Sequence, residues 1–174
     1  MLCHAHIKKG AYMDVFKIPS LSQAECEKII IAEYLCRIAF HGEKYPYLAP
    51  FLYVWENSRL YFLSANYGAK IKYFRENPLV VVEIEQTSPD LSHCRFVILC
   101  GRLQEVQDNE EKKTVRRAFV NLIKNKNFSK NIIAALGHTS EENLDALEAE
   151  GRSLVWKLIE VERISGLQFG DKTP

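Results

Sequence analysis

Apolar and polar positions after residue 20 first follow the period of a helix. Ser22 and Glu25 have the spacing of a capping box, in which the two side chains satisfy each other's backbone N–H groups. Ile29, Ile30 and Tyr34 continue one apolar face at helical spacing. The pattern predicts a helix over residues 22–34.

Six segments rich in β-branched and aromatic residues follow this helix, and each is typical of a β-strand. They span residues 36–40, 47–55, 60–63, 79–84, 94–106 and 154–164. Polar connections of hairpin length join the first strand to the second and the second to the third. The sequence therefore predicts successive antiparallel strands.

The predicted strand 47–55 is apolar on both of its faces, whereas a half-exposed antiparallel strand alternates apolar with polar residues. A closed or nearly closed barrel explains one apolar face, and a helix, a ligand or a second subunit explains the other. Pro50 lacks the N–H of one ladder hydrogen bond, which places this strand at an edge or beside a bulge.

Residues 66–78 lie between the third and fourth predicted strands and have helical features. Asn66 is a favourable N-cap, and Asn77-Pro78 is a strong stop signal. We expect a helix of about three turns here.

Two further helices are predicted between the last two strands, in a helical insertion over residues 108–151. Asp108 and Glu111 open the first of them with capping-box spacing. Thr139 and Glu142 have the same spacing and predict the start of the second, which ends by Gly151.

Composition adds limits on class and partners. The chain has 174 residues, 47% of them hydrophobic, and no Pro-, Gly- or Ser-rich stretch divides it, so we expect one domain with an N-terminal arm over residues 1–20. Lys and Arg number 23 against 22 Asp and Glu, and the net charge of +1 argues against a nucleic-acid-binding protein. No apolar stretch reaches the ~20 residues of a membrane helix. The five cysteines include no Cys-x-x-Cys pair, so we expect them to be buried thiols. Free thiols are typical of a cytoplasmic protein.

The segment over residues 61–70 carries the chemistry that the sequence makes visible. A strand ends at Ser64, and the chain then turns into a helix whose start holds Gly68 and Lys70. Amides and dipole at a helix N-terminus, a close glycine backbone, a hydroxyl and an ammonium group together suit a phosphate. The alternative is that Ser64 and Asn66 only cap the helix while Lys70 is solvated.

Three segments resemble the pyridoxamine 5'-phosphate oxidase-like flavoprotein superfamily. Residues 61–85 are similar to its run of aromatic residue, Ser or Thr, loop, Lys, short helix, Asn-Pro and Val-rich strand. Residues 46–51 resemble the Pro-Tyr-x-x-Pro strand of the nitroimidazole-resistance branch, and residues 97–102 resemble its later strand ending in Gly and a basic residue. The resemblance covers residues 35–106 and returns at 154–166.

This resemblance implies a mostly β fold with peripheral helices, a six-stranded antiparallel split β-barrel that forms a homodimer with FMN at the subunit interface. Ser64 and Lys70 would bind the FMN phosphate, and the strand over residues 48–51 would lie along the isoalloxazine mainly through backbone groups. Arg95 would contact the phosphate or ribityl chain, or be a cation at the rim of its strand. The cofactor residues implied are Leu48, Ala49, Pro50, Phe51, Ser64, Ala65, Gly68, Lys70 and Arg95.

Departures from the superfamily pattern limit the expected activity. The oxidase itself has Arg-Lys where this chain has Ala69-Lys70, and its C-terminal basic motif is absent from residues 167–174. Leu63 stands where the nitroimidazole-resistance branch commonly has His. We therefore assign no catalytic acid or base and expect an FMN-dependent oxidoreductase that reduces a small electrophilic or aromatic acceptor. The alternatives are a non-catalytic flavin-binding or sensing protein, a haem-binding member of the group, and a deazaflavin protein.

Histidine and cysteine positions allow other roles. Cys3, His4 and His6 are metal-ligand types, but no later pair completes a ligand set, so no metal is expected. Haem would need an axial histidine, for which His93, His138 or the N-terminal pair are available. His93 is more typical of a local hydrogen bond, and His41 is either a turn residue or a proton donor near the flavin strand.

Overall fold

The computed structural model describes residues 18–129, 131–136, 139, 142–148 and 153–170. The strands are β1 (Leu35–Phe40), β2 (Tyr47–Glu56), β3 (Arg59–Ala65), β4 (Leu79–Thr87), β5 (His93–Glu105) and β6 (Ser153–Gly170). The helices are α1 (Gln23–Ala32), α2 (Ala69–Glu76), α3 (Asn109–Asn125) and α4 (Ile132–Ala135), followed by a 3-10 helix (Leu144–Glu148).

All six strands pair antiparallel and close into a barrel in the order β1-β2-β3-β6-β5-β4. This confirms the predicted six-stranded antiparallel barrel. β6 continues to Gly170 rather than ending near residue 164, because its last residues stay paired with the start of β5 at His93. The end of this strand is set by its pairing with β5. The alternation of apolar and polar residues in the sequence does not reveal that pairing.

Helix α1 packs against the barrel and begins with the predicted capping box. The Ser22 backbone N–H donates to Glu25 Oε2 at 2.7 Å, and the Glu25 N–H donates to Ser22 Oγ at 3.3 Å. The helix ends at Ala32, two residues before the predicted end, because Glu33 is already extended and the Tyr34 carbonyl accepts from the Tyr53 N–H at 2.9 Å. Buried Tyr53 also donates its hydroxyl to the Ile30 carbonyl at 2.9 Å.

Two hydrophobic cores explain why β2 is apolar on both faces. Ala49, Phe51 and Tyr53 belong to the core inside the barrel. Leu52 and Val54 point the other way, into a second core that α3 covers. The expected helix therefore covers the outer face of the C-terminal half of β2, whereas Leu48 of the N-terminal half stays 60% exposed.

Helix α2 is shorter than predicted and has a different N-cap. It has eight residues, about two turns instead of three, and Gly68 rather than Asn66 is its N-cap. Gly68 has φ +92°, a left-handed conformation that glycine adopts without steric cost. The turn preceding the helix uses two more residues than the capping signal of Asn66 indicated.

The insertion between β5 and β6 contains one predicted helix and one element of another type. Asp108 caps α3 through its side chain, which accepts from the Glu111 N–H at 2.7 Å. The Thr139 hydroxyl donates to Glu142 Oε1 at 3.1 Å, yet a five-residue 3-10 helix, Leu144–Glu148, follows in place of the predicted α-helix. That prediction was wrong in element type, and its expected end at Gly151 lies outside the described residues.

Cysteine burial follows the prediction for most of the described thiols. Cys26, Cys36 and Cys94 are buried and free, and Cys100 is half-buried. Burial raises the pKa of the Cys26 and Cys36 thiols. Of the predicted N-terminal arm the structure describes residues 18–20, so Cys3, His4 and His6 lie outside it. Among the described helices, none has the length and apolar character to cross a membrane.

Candidate functional site

The barrel is split where β2 and β3 diverge. Pairing between them covers only Tyr53–Glu56 of β2 with Arg59–Phe62 of β3, and residues 47–52 pair with β1 alone. Pro50 lies in this half-paired segment, opposite Arg37 of β1. The prediction that Pro50 belongs to a strand edge is confirmed, since a residue without an N–H is tolerated there.

A cleft of about 310 Å³ occupies the split. β2 forms one side, the end of β3 and Lys70 form another, and α4 with the residue after it contributes a third. The lining residues are Leu35, Tyr47, Ala49, Pro50, Phe51, Leu52, Leu63, Ser64, Lys70, Ile132 and Leu136. The cleft is therefore apolar, with one cation and one serine hydroxyl near the start of α2.

The N-terminus of α2 borders this cleft without a side-chain cap. No side chain of the described residues caps the helix at Gly68, and a Cβ built on Gly68 meets no atom within 4 Å. The first amides of α2 therefore have no side-chain cap, and the positive end of the helix dipole lies at this end of the helix, next to Lys70.

Lys70 is a half-buried cation without a carboxylate partner among the described residues. Its ammonium lies 5.9 Å from the centre of the Tyr67 ring. Burial lowers the pKa of Lys70, because the charged form loses hydration and gains no ion pair. Lys72, two residues on, is exposed and pairs with Glu43 and Glu76. Of these two lysines, Lys70 is therefore the one that is available to an anionic ligand at the cleft.

Ser64 supplies the hydroxyl of the cleft. It is 1% exposed, and its Oγ donates to the Ala65 carbonyl at 3.0 Å. Rotation about the Cβ–Oγ bond can redirect that proton to a ligand oxygen, since hydroxyl hydrogens turn to suit their partner.

The structure brings five of the nine predicted cofactor residues to the cleft lining: Ala49, Pro50, Phe51, Ser64 and Lys70. Gly68 and Ala65 adjoin it in the chain, as the residues before α2 and after Ser64. Leu48 does not line it, since its side chain is exposed.

Arg95 is not brought to the cleft. It lies on β5, opposite β2 in the barrel order, where it pairs with Gln86 of β4 and Gln168 of β6. Hydrogen bonds from Ser22 lower the pKa of the Glu25 carboxyl on α1, and the nearby charge of Arg95 adds a smaller lowering. Within one chain, Arg95 therefore contacts neither Lys70 nor the β2 side of the cleft.

Phe51 lines the cleft and also belongs to the core inside the barrel. Its ring lies 6.3 Å from Phe40, 6.1 Å from Phe62 and 6.0 Å from Trp156 between ring centres. A charge at this position would disrupt the core and not only an interface.

Sequence reasoning missed Ile132 and Leu136 as lining residues. They follow the polar end of α3 and are four positions apart, which places them on one face of a helical turn. An apolar cluster within a polar insertion is a signal for a buried contact, but the sequence does not say that the contact is with β2 and β3.

Neither described histidine lies in the cleft. His41 is exposed and borders an outer groove formed by β1, β4 and β5. His93 accepts or donates through Nδ1 to Ser92 Oγ at 2.9 Å, which confirms the local hydrogen bond expected of it. Among the described residues no group of three potential ligands could hold a metal ion. His138 lies outside the described residues.

The barrel with a cleft between two diverging strands places the chain in the class of split β-barrel proteins. The sequence model of the pyridoxamine 5'-phosphate oxidase family matches residues 22–153 of the chain. The chain belongs to this family. An uncharacterised protein of Rhizobium meliloti is 33% identical over 86 residues, which are 49% of this chain and 56% of that protein. The chain thus spans about half the length of the curated relative it matches.

Solved structures share the fold at low sequence identity. A FAD-binding protein of Mesorhizobium loti has a TM-score of 0.64 at 22% identity, covering 87% of this chain and 96% of that one. A proposed 5-nitroimidazole antibiotic resistance protein of Bacteroides thetaiotaomicron has a TM-score of 0.64 at 19% identity, covering 98% and 100%. A haem-binding protein of Mycobacterium smegmatis has a TM-score of 0.61 at 14% identity, covering 82% and 52%.

Proposed function

We propose that this protein binds FMN in the cleft between β2 and β3, with the phosphate at the N-terminus of α2. The observation that carries the proposal is Lys70, a half-buried ammonium with no carboxylate partner among the described residues, beside the uncapped amides of a helix. A phosphate there supplies the missing counter-charge and accepts from the free amides. The residues present therefore fit the phosphate end of a mononucleotide.

The rest of the cleft fits a flat apolar ring. Ala49, Pro50 and Leu52 line one side, and the free edge of residues 47–52 offers backbone groups to ring heteroatoms. The isoalloxazine supplies redox chemistry when it is bound. The chain's own residues hold the phosphate, orient the ring along β2 and keep water from it.

An oxidoreductase that passes electrons to a small electrophilic or aromatic acceptor is the activity we infer for this site. Its apolar lining suits such acceptors, and no side chain needs to transfer a proton for the flavin to exchange electrons. A second function, flavin binding for storage or sensing, is favoured by one observation: the described lining contains no histidine, aspartate, glutamate or cysteine that could serve as a catalytic acid or base.

Haem is the less suitable ligand for this cleft. The described lining contains no histidine, cysteine or methionine, which leaves Tyr47 as its one side chain of a type that ligates haem iron. Because one structural neighbour binds haem, the experiment below also tests for this ligand.

We further propose that two copies of the chain associate through the outer face of the barrel. Strand register places Leu48, Ala39, Val81 and Cys100 side by side across β2, β1, β4 and β5. Leu48 is 60% and Val81 38% exposed, and apolar surface continues at Leu79. A stripe of this kind next to β2 is typical of a self-complementary interface, which would put the cofactor between subunits.

A visible spectrum of the protein as purified, with acid release and mass identification of the chromophore, tests the proposal. We expect the bands of an oxidised flavin and release of FMN. A red protein with a haem spectrum, or a colourless one that does not take up FMN, would refute it; released FAD would correct the cofactor. Anaerobic bleaching by a reduced nicotinamide, with reoxidation by a quinone, separates the oxidoreductase from a storage or sensing protein.

A further inference from the structure

Two side chains of the helical insertion reach the cleft from outside the barrel. Ile132 and Leu136 line it, and Leu136 is also buried in the second core together with Ile133. That core, which also contains Phe119 and Ile123 of α3, fixes the segment in place. The part of the cleft lining that the insertion contributes is therefore a packed element.

Charge in the cleft is confined to one residue. Lys70 is the single charged residue among the described lining residues, and the proposed cofactor phosphate neutralises it. The other described lining residues offer no charged group to pair with a ligand. A charged second ligand would lose its hydration there without compensation, whereas an uncharged apolar one would gain by burial.

We propose that Ile132 and Leu136 select the second ligand of the flavin site, and that this ligand is a small uncharged aromatic molecule. The inference rests on the proposed function, because it takes Lys70 to be occupied by the cofactor phosphate. It goes further in assigning selection to the insertion and not to the barrel strands. As apolar lining residues, the two side chains disfavour a charged group in the space that they border.

The chain offers matched variants for a test. Ile132 is half-buried at the cleft, so a lysine in its place can extend an ammonium to the opening. Ala134, two residues away, is exposed and outside the lining, so Ala134→Lys adds the same charge to the same short helix without entering the cleft.

The experiment measures equilibrium binding of two redox-inactive probes, 2-naphthol and naphthalene-2-sulfonate, to FMN-loaded protein by titration calorimetry. Flavin content is first matched by absorbance. The wild type should bind 2-naphthol at least about tenfold more tightly than naphthalene-2-sulfonate. A difference of this size is expected when one charged group is buried without a partner. Ile132→Lys should reduce that preference about tenfold, and Ala134→Lys should leave it as in the wild type.

Each outcome bears on the inference. A wild type that binds both probes equally, or an Ile132→Lys protein with the wild-type preference, overturns the selecting role although flavin still binds. An equal change in Ala134→Lys also overturns it, since general surface charge would then be the cause. A protein that cannot be loaded with FMN refutes the proposed function, and the inference is lost with it.

Discussion

Lys70 and Lys72 lie on the same two-turn helix but differ in what surrounds their ammonium groups. Lys72 is exposed and paired with Glu43, whereas Lys70 is half-buried at the cleft without a described carboxylate partner. The sequence shows two lysines at the start of α2 and the strand-turn-helix order around them. The resemblance implied Lys70, but the spacing alone does not show which lysine faces the cleft, because that depends on how α2 packs beside β2 and β3.

Lys70→Ala should weaken FMN binding by about 1.5–3 kcal/mol, the range for a hydrogen bond to a charged group. The loss arises because the phosphate keeps only the helix amides and the serine hydroxyl. Fluorescence titration of the apoprotein measures it. Lys72→Ala is the matched control and should bind as the wild type does; equal loss in both variants would remove Lys70 from the phosphate site.

As the pH is raised, FMN affinity should begin to fall at a lower pH than it would if Lys70 had the usual pKa of a lysine. Burial lowers the pKa of Lys70, so the free protein loses the ammonium proton at lower pH and the phosphate then meets a neutral amine. The effect is absent well below that pKa and grows as the pH rises through it. Titrations across pH should show the fall in the wild type but not in Lys70→Arg, whose guanidinium stays charged; a flat wild-type profile would contradict this.

At the level of elements, the insertion is tied to the barrel by a buried arginine. Arg116 of α3 donates to the Leu147 carbonyl at 3.1 Å, to Ser153 Oγ at 2.8 Å and to the Ser153 carbonyl at 2.6 Å. It joins α3, the 3-10 helix and the first residue of β6, and so fixes the helical region that carries the cleft wall. Capping-box spacing in the local sequence made α1 and α3 predictable, although only α1 forms the complete box. The 3-10 helix was not predictable from local sequence, because the long-range hydrogen bonds of Arg116 contribute to its position.

Arg116→Ala should lower the free energy of unfolding by about 3 kcal/mol, because it leaves buried carbonyl acceptors unpaired. Urea denaturation followed by circular dichroism measures the change. Arg117 is the neighbouring exposed arginine, and Arg117→Ala should stay within about 0.5 kcal/mol of the wild type. If the two variants are equally stable, the hydrogen bonds of Arg116 contribute nothing to the free energy of unfolding.

At the scale of the entire protein, the barrel could be predicted because hairpin-length connections and alternating residues specify antiparallel neighbours. The divergence of β2 from β3 was visible only as Pro50 and as an excess of apolar residues on strand 47–55. α3 accounts for part of that excess, at Leu52 and Val54. Leu48 remains exposed beside Ala39 and Val81, which leaves the surface for a second copy.

Val81→Asp should convert a dimer into monomers, since an unpaired carboxylate at the middle of the apolar stripe opposes its burial. Sedimentation velocity measures the change, and weaker flavin retention should accompany it if the partner completes the cleft. Thr87→Asp adds the same charge at the exposed end of the same strand and should leave a dimer. A wild type that sediments as a monomer would contradict the proposed interface.

Recognition of a phosphate by the corner around Lys70 is tested most directly by titrating the apoprotein with FMN and with riboflavin, which has the same ring without the phosphate. FMN should bind at least about tenfold more tightly, because the ammonium, the α2 amides and Ser64 act on the phosphate alone. Equal affinities for the two flavins would show that this corner binds no phosphate and that the proposed cofactor site is wrong.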